Sequence, residues 1–235
     1  MPKSKRARVF NLTKTEKKGK ELSLKLFSNV QECVDQYQYC FVFSIENMRN
    51  TYLKDLRVEF SDSRLFFGKT KVMAKALGTS PEDEYQPNLS QLSSHLAGNV
   101  GLLFTSREPA DIISYFSSYS QMDYARAGIA ASREFTIPAG VVYSRGGEIP
   151  EEEDVPLAHS LETSVRGNGM PTRLVKGRVT LDSPYTVCKE GEVLNSHQTA
   201  LLKLFGVATA EFKVQMKAYW SAASNEVKEI EAMEE

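Results

Sequence analysis

Cysteine and histidine are scarce in this 235-residue chain, at three residues each. Cys33, Cys40 and Cys188 are scattered and odd in number, which argues against a disulfide framework and suits buried thiols in a reducing compartment. Neither they nor His95, His159 and His197 fall at metal-ligand spacing, so no metal is expected, and each histidine reads as a surface or satisfied core residue. Long apolar runs are also missing. Leu102-Leu103-Phe104 and Tyr39 to Phe43 are the longest, far short of a membrane span. The N-terminus has no apolar core of the kind a secretory signal needs. No Ser-His-Asp or Cys-His arrangement announces itself, so neither catalysis nor a cofactor is expected.

What is present is a globular composition, 41% hydrophobic and 25% charged, long enough for one large or two modest domains. The net charge of −1 conceals an asymmetry. Residues 1–25 carry nine Lys/Arg against Glu16 and Glu21, whereas Ser221–Glu235 is net −4. Between Asn47 and Gly78 there are seven basic residues and three acidic ones. A polyanionic partner for the N-terminal half follows from that clustering.

The stretch Arg64-Leu65-Phe66-Phe67-Gly68-Lys69-Thr70-Lys71-Val72-Met73-Ala74-Lys75-Ala76-Leu77 concentrates the signal. It reads as a short buried strand, a Gly-Lys-Thr turn and a helix with Val72, Met73, Ala76 and Leu77 inward. Lys71 and Lys75, four apart, share the opposite face. A nucleotide loop would need a second glycine where Ser63 stands, and bulky residues fill the interval, so the P-loop reading fails. An RNA backbone on a rigid basic surface fits better, and lysines that only keep a helix soluble are the other reading.

Taken in order, residues 1–12 read as a flexible basic arm with Lys5, Arg6 and Arg8. Thr13–Glu16 has capping-box spacing ahead of a long helix with Leu22, Leu26, Phe27, Val30, Val34 and Tyr37 inward. Tyr39–Ile45 is a strand covered on both faces. Asn47 is an N-cap candidate for a helix that leaves Arg49, Asn50, Lys54 and Arg57 outside. An acidic loop, a short helix capped by Asn88 and a buried strand over Asn99–Thr105 follow, a spacing that argues for an α/β layer with parallel pairing. Glycine, proline and short β-branched runs then mark a small β-rich domain, with a surface loop over Ser144–Asp154. Ser196 caps a helix, and Phe212–Trp220 alternates as a strand that could join the first sheet.

With these residues quoted, a resemblance can be stated. Gly68-Lys69-Thr70-Lys71-Val72-Met73-Ala74-Lys75-Ala76-Leu77 resembles the Gly-Lys-Asn-Thr-x-Met-x-x-Ala-Leu/Ile signature of the ribosomal stalk-base family, bacterial L-ten and eukaryotic P-zero. Ile137-Pro138-Ala139-Gly140, Gly169-Met170-Pro171-Thr172 and Val187-Cys188-Lys189-Glu190-Gly191 are similar to its insertion domain. Thr70 and Lys71 replace the usual Asn and Thr, which raises the charge of the turn.

The resemblance implies an α/β RNA-binding domain over 13–107 and 198–220, interrupted by an insertion domain over 108–197. A basic arm (1–12) and a frayed acidic tail (221–235) would flank it. It implies RNA contacts from Lys5, Arg6, Arg8, Asn47, Arg49, Asn50, Lys54, Arg57, Arg64, Gly68, Lys69, Thr70, Lys71 and Lys75. The sequence ends at Glu235 without the stalk-docking helices of P-zero, so a non-catalytic P-zero paralogue of ribosome assembly is expected. Its partners would be large-subunit pre-rRNA at the GTPase-associated centre, the neighbouring protein of the L-eleven family and the pre-60S particle, without a membrane. It would compete with P-zero in the nucleolus and nucleus, and could shuttle to the cytoplasm. A short stalk scaffold in mature ribosomes is the alternative, and an RNA-processing enzyme a third.

Overall fold

Val100–Thr105, the most continuous of the apolar strands, is buried at every residue. Around it the computed structural model describes residues 19–230. Lys5, Arg6, Arg8 and the Thr13–Glu16 box lie outside those residues. In chain order the elements are α1 (Lys20–Gln36), β1 (Tyr39–Glu46), α2 (Asn50–Glu59), β2 (Arg64–Phe66), α3 (Thr70–Leu77), α4 (Leu89–Ser94), β3 (Val100–Thr105), α5 (Pro109–Ser118) and β4 (Ser120–Asp123). They continue as β5 (Phe135–Ile137), β6 (Gly140–Val141), α6 (Glu162–Gly167), β7 (Thr172–Val175), β8 (Arg178–Leu181), β9 (Tyr185–Cys188), α7 (Ser196–Leu204), β10 (Ala210–Ser221) and β11 (Glu226–Glu229).

The fold class is α/β, as expected. The largest sheet runs β11-β10-β1-β3-β2, with β4 also on β10, so the alternating strand does join the first sheet. Parallel pairing is corrected for β2 and β3, which are antiparallel with Leu65 opposite Leu103. Two helices and a loop connect them, in place of the single return helix of a parallel crossover. The expected fraying is corrected for Glu226–Glu229, which pairs antiparallel with the end of β10; residues 231–235 lie outside the described residues.

Two compact units emerge. Of the described residues, one gathers 19–42, Ser63–Ser106 and 217–230; the other gathers Phe43–Asp62 and Arg107–Met216. The core of the first joins Val30 and Val34 of α1, Cys40 and Val42 of β1, Met73 and Leu77 of α3, Phe104 and Trp220. Trp220 is 1% exposed, and its Nε1–H donates to the Pro87 carbonyl at 3.0 Å. The second holds an aromatic group in which Phe60 stacks on Phe116 at 5.3 Å. Its other core lies among the insertion strands, with Phe135, Val179, Leu202 and Phe205. There β5 pairs with β9, and β6-β8-β7 forms a small sheet. Lys176 and Gly177, both at positive φ, make the two-residue turn that joins β7 to β8 as a hairpin.

Three expected caps are replaced. Asn47 sits at φ 49° ahead of α2, whose N-cap is Arg49. Asn195, not Ser196, caps α7 and forms a reciprocal capping box with Gln198. Asn88 is left-handed at φ 65° and makes no cap bond. Glu84 of the acidic loop substitutes for it, its carboxylate accepting from the Asn88 N–H at 2.9 Å and the Ser90 N–H at 3.1 Å, and from the Ser90 hydroxyl. Gly78 makes this loop possible, since a Cβ there would stand 2.5 Å from the Glu84 Cα.

The Ser90 hydroxyl bond, followed by the two N–H donors, holds the Glu84 carboxyl below the ordinary range. A depressed carboxyl stabilises the fold above its unfolded pKa and loses that contribution as pH falls through its folded value. Glu84→Gln should therefore lower the thermal midpoint at neutral pH by about 2–4 °C. The gap between variant and parent should close on acidification below the ordinary carboxylate range. A calorimetric pH series in which the gap stayed constant would rule out this ionised cap.

Candidate nucleic-acid interface

In the first unit the helix after β2 is held against α1. Gln31 Nε2 donates to the Ala76 carbonyl at 3.4 Å. Gly68 also lies close to α1, since a Cβ there would stand 3.0 Å from Leu26 Cδ2. Its φ is not in the left-handed region, so glycine serves proximity rather than backbone conformation at this turn. What the missing side chain accommodates is Leu26 of α1.

Lys69 is the N-cap of α3 in extended conformation, and no side chain caps that end. The Val72 and Met73 N–H groups both turn to the Lys69 carbonyl, at 3.0 and 3.1 Å. Thr70 and Lys71 are thus the first helical residues, whose N–H groups have no partner within a helix. Gly68, Lys69, Lys71 and Lys75 are exposed. Lys69 Nζ donates to Ser23 Oγ at 3.4 Å, a long bond on the surface. Exposed Arg64 lies with its guanidinium 5.8 Å from the Phe66 ring centroid. Uncapped backbone donors at a positive dipole end, ringed by lysines, suit a phosphate.

A groove of about 360 Å³ lies between α1 and α3. Leu24, Phe27 and Val72 give it an apolar lining, with Lys20, Lys71 and Lys75 at its edge. Met73, Ala76 and Leu77 are buried, whereas Val72, expected inward with them, faces this groove half-exposed. Leu22, also expected inward, is 54% exposed. Sequence reasoning missed Lys20, Leu24 and Phe27 as site residues. The available signal was Leu24: it falls off the inward stripe of α1 and joins Lys20 and Phe27 at i, i+4, i+7.

The second unit carries the other expected residues. Asn50, Lys54 and Arg57 are exposed on α2. Arg49 is not left outside: its Nε pairs with Asp123 Oδ2 at 2.6 Å and its guanidinium also donates to the Tyr124 carbonyl. Asn47 donates through Nδ2 to the Glu211 carbonyl at 2.7 Å. Both side chains therefore hold the unit together. The Arg145–Glu148 turn offers no anion site either, because Asp154 accepts from the Arg145 N–H at 2.8 Å and from the Ser144 hydroxyl at 2.5 Å.

Among the described residues, no three His, Cys, Asp or Glu gather in a way that could hold a metal. The three cysteines are free and buried. Burial pushes the Cys33 thiol up, against the pull of Arg64, and pushes Cys40 up further. Thiols held in that state are poor nucleophiles. No described helix is long and apolar enough to cross a membrane.

Known proteins share this arrangement. Residues 18–121 match the family model described as "Ribosomal protein L10", and residues 125–207 match the model for the insertion domain in the 60S ribosomal protein of the same family. The "Ribosome assembly factor mrt4" of Neurospora crassa is 56% identical over 98% of this chain and 94% of its own length. Its namesake in Schizosaccharomyces pombe is 53% identical over 94% and 92%, and that of Dictyostelium discoideum is 40% identical over all of both chains. The chain belongs to the mrt4 family of ribosome assembly factors. The two matches follow one another along the chain; the α1–α3 surface lies within the L-ten match, whereas β10 and β11 follow both matched segments.

Proposed function

We propose that this protein is a non-catalytic assembly factor of the large ribosomal subunit. It binds pre-rRNA at the stalk-base, GTPase-associated site and holds that site for P-zero until release. The observation that carries the reading is the lysine-ringed, uncapped start of α3 on the L-ten domain. The whole-length likeness to proteins named ribosome assembly factors supports it. The surface is built for backbone phosphate: exposed lysines give affinity that falls with salt, a useful property in a factor that must leave. Asn50, Lys54, Arg57 and Arg64 extend the RNA contacts, and the basic residues Lys5, Arg6 and Arg8 add to them. On this reading the neighbours are the L-eleven-family protein and the pre-60S particle, and the site of action is the nucleolus and nucleus.

Fractionation tests the reading. The protein should sediment with nuclear pre-60S particles and be absent from translating polysomes, where a stalk scaffold of mature ribosomes would be found. Enrichment in polysomes would overturn the placeholder role.

Gly68→Glu supplies a second test. It crowds Leu26 of α1 and sets a carboxylate among lysines at the phosphate position. Retention on the particle should fall at least about tenfold, the scale of removing one charge-assisted hydrogen bond and adding a like charge. Gly68→Ala, which adds only the Cβ, should stay near parent because the Leu26 methyl can rotate aside. Equal retention of Gly68→Glu and parent in a salt wash would exclude this turn from the interface.

A further inference from the structure

The groove between α1 and α3 is more than a phosphate surface needs. We propose that it receives one unstacked base of the RNA, so that the protein selects RNA with a bulged or looped-out nucleotide over regular duplex. The inference rests on the RNA reading above and deepens it.

The groove's volume, about 360 Å³, falls in the range of about 300–1,000 Å³ typical of small-ligand sites. Its apolar lining comes from two helices: Leu24 and Phe27 from α1, Val72 from α3. Leu24 is 57% exposed and forms one apolar patch with Phe27 and Val72. Lys20, Lys71 and Lys75 stand at the edge, with Lys69 beside Ser23. Among the described residues, no acidic side chain lines it. An apolar slot with an aromatic wall and cations along its border is complementary to a nucleotide, whose flat base is weakly solvated and whose flanking phosphates are anionic. A paired base in an A-form helix cannot enter, because its faces are covered by the stacked base pairs above and below it. Phosphate contacts position the RNA; the slot would supply the discrimination.

Two RNA hairpins of equal length provide the test, one carrying a single bulged 2-aminopurine and one fully paired. The intact chain should bind the bulged hairpin about tenfold more tightly, the scale of one stacked base. The 2-aminopurine emission should change on binding. Leu24→Ser removes an exposed side chain and should keep the parent melting temperature. It should bring the affinity ratio near one while leaving the salt slope of log affinity unchanged. Lys71→Gln should weaken both RNAs alike and reduce the slope by about 0.7–0.9. Equal affinity of the intact chain for both hairpins, with a normal salt slope, would overturn the slot and leave the phosphate surface standing. The groove would then be open to an apolar side chain of a neighbouring protein. A preference that survived Leu24→Ser would also overturn it. Absence of binding to either hairpin at low salt would remove the RNA reading and the slot together.

Discussion

Lys69→Glu combined with Lys71→Glu should weaken binding to a GTPase-centre rRNA fragment at least about a hundredfold at physiological salt. Each substitution removes a cation and places a carboxylate where a phosphate would lie. The pair sits at the start of α3, where uncapped N–H groups add to the field. Carboxylates there would be favoured by the helix dipole and would occupy the position intended for the ligand. That makes reversal more damaging to binding than to folding. Both residues are exposed, so circular dichroism and melting should match the parent. Loss of two phosphate contacts should also reduce the salt slope of log affinity by about 1.4–1.8. A salt titration giving the parent affinity and slope would remove this surface from the interface. A control on α2, Lys54→Glu, separates the two units: a smaller loss there would assign most of the affinity to α3.

The second large effect concerns stability. Trp220→Ala should cost about 3–5 kcal/mol, the usual range for deleting a buried large aromatic. Trp220 is among the largest fully buried side chains and packs within the first unit's core. Its removal also leaves the Pro87 carbonyl without the indole donor, at a further cost of about 1–3 kcal/mol if water does not reach it. Against a total stability of about 5–15 kcal/mol for a typical protein, such a loss depletes the folded population. Trp220→Phe retains most of the ring and loses the donor, and should fall between variant and parent. Urea denaturation followed by far-ultraviolet circular dichroism measures both. A shift smaller for Trp220→Ala than for Trp220→Phe would contradict the packing described.

Much of the first unit was legible because burial on both faces leaves a plain mark. Tyr39–Glu46 and Val100–Thr105 are strands where the apolar runs lie, and α3 starts at Thr70 after the Gly-Lys turn. The lysines of α3 were legible for the same reason: apolar residues three and four apart define the inward face, and what remains is outside. Long-range partners were not legible. Asn47 reads locally as a cap, yet its side chain is taken by a carbonyl 164 residues away. Arg49 reads as a surface cation until Asp123 and Tyr124 are brought beside it. Nothing in the Thr79–Pro87 loop announces that Glu84 will take the capping role assigned to Asn88, because that depends on how Gly78 turns the chain. The groove escaped for a different reason: its two walls are separated in sequence, and neither Leu24 nor Val72 signals alone that the other is opposite.

The first unit's stitching from three separated segments has a consequence for synthesis. A nascent chain that has emerged as far as Ser106 already carries every lysine of α1 and α3, but its core lacks Ala218 and Trp220. Contacts between residues so far apart must wait for the intervening insertion domain, and closing such long loops is slow. The lysine-bearing face of α1 and α3 therefore matures late, although its residues are translated first. A polysome engaged in making this protein would display the cationic segment only in loose form, and its rigid surface would arise once Ala218 and Trp220 have been added to the core.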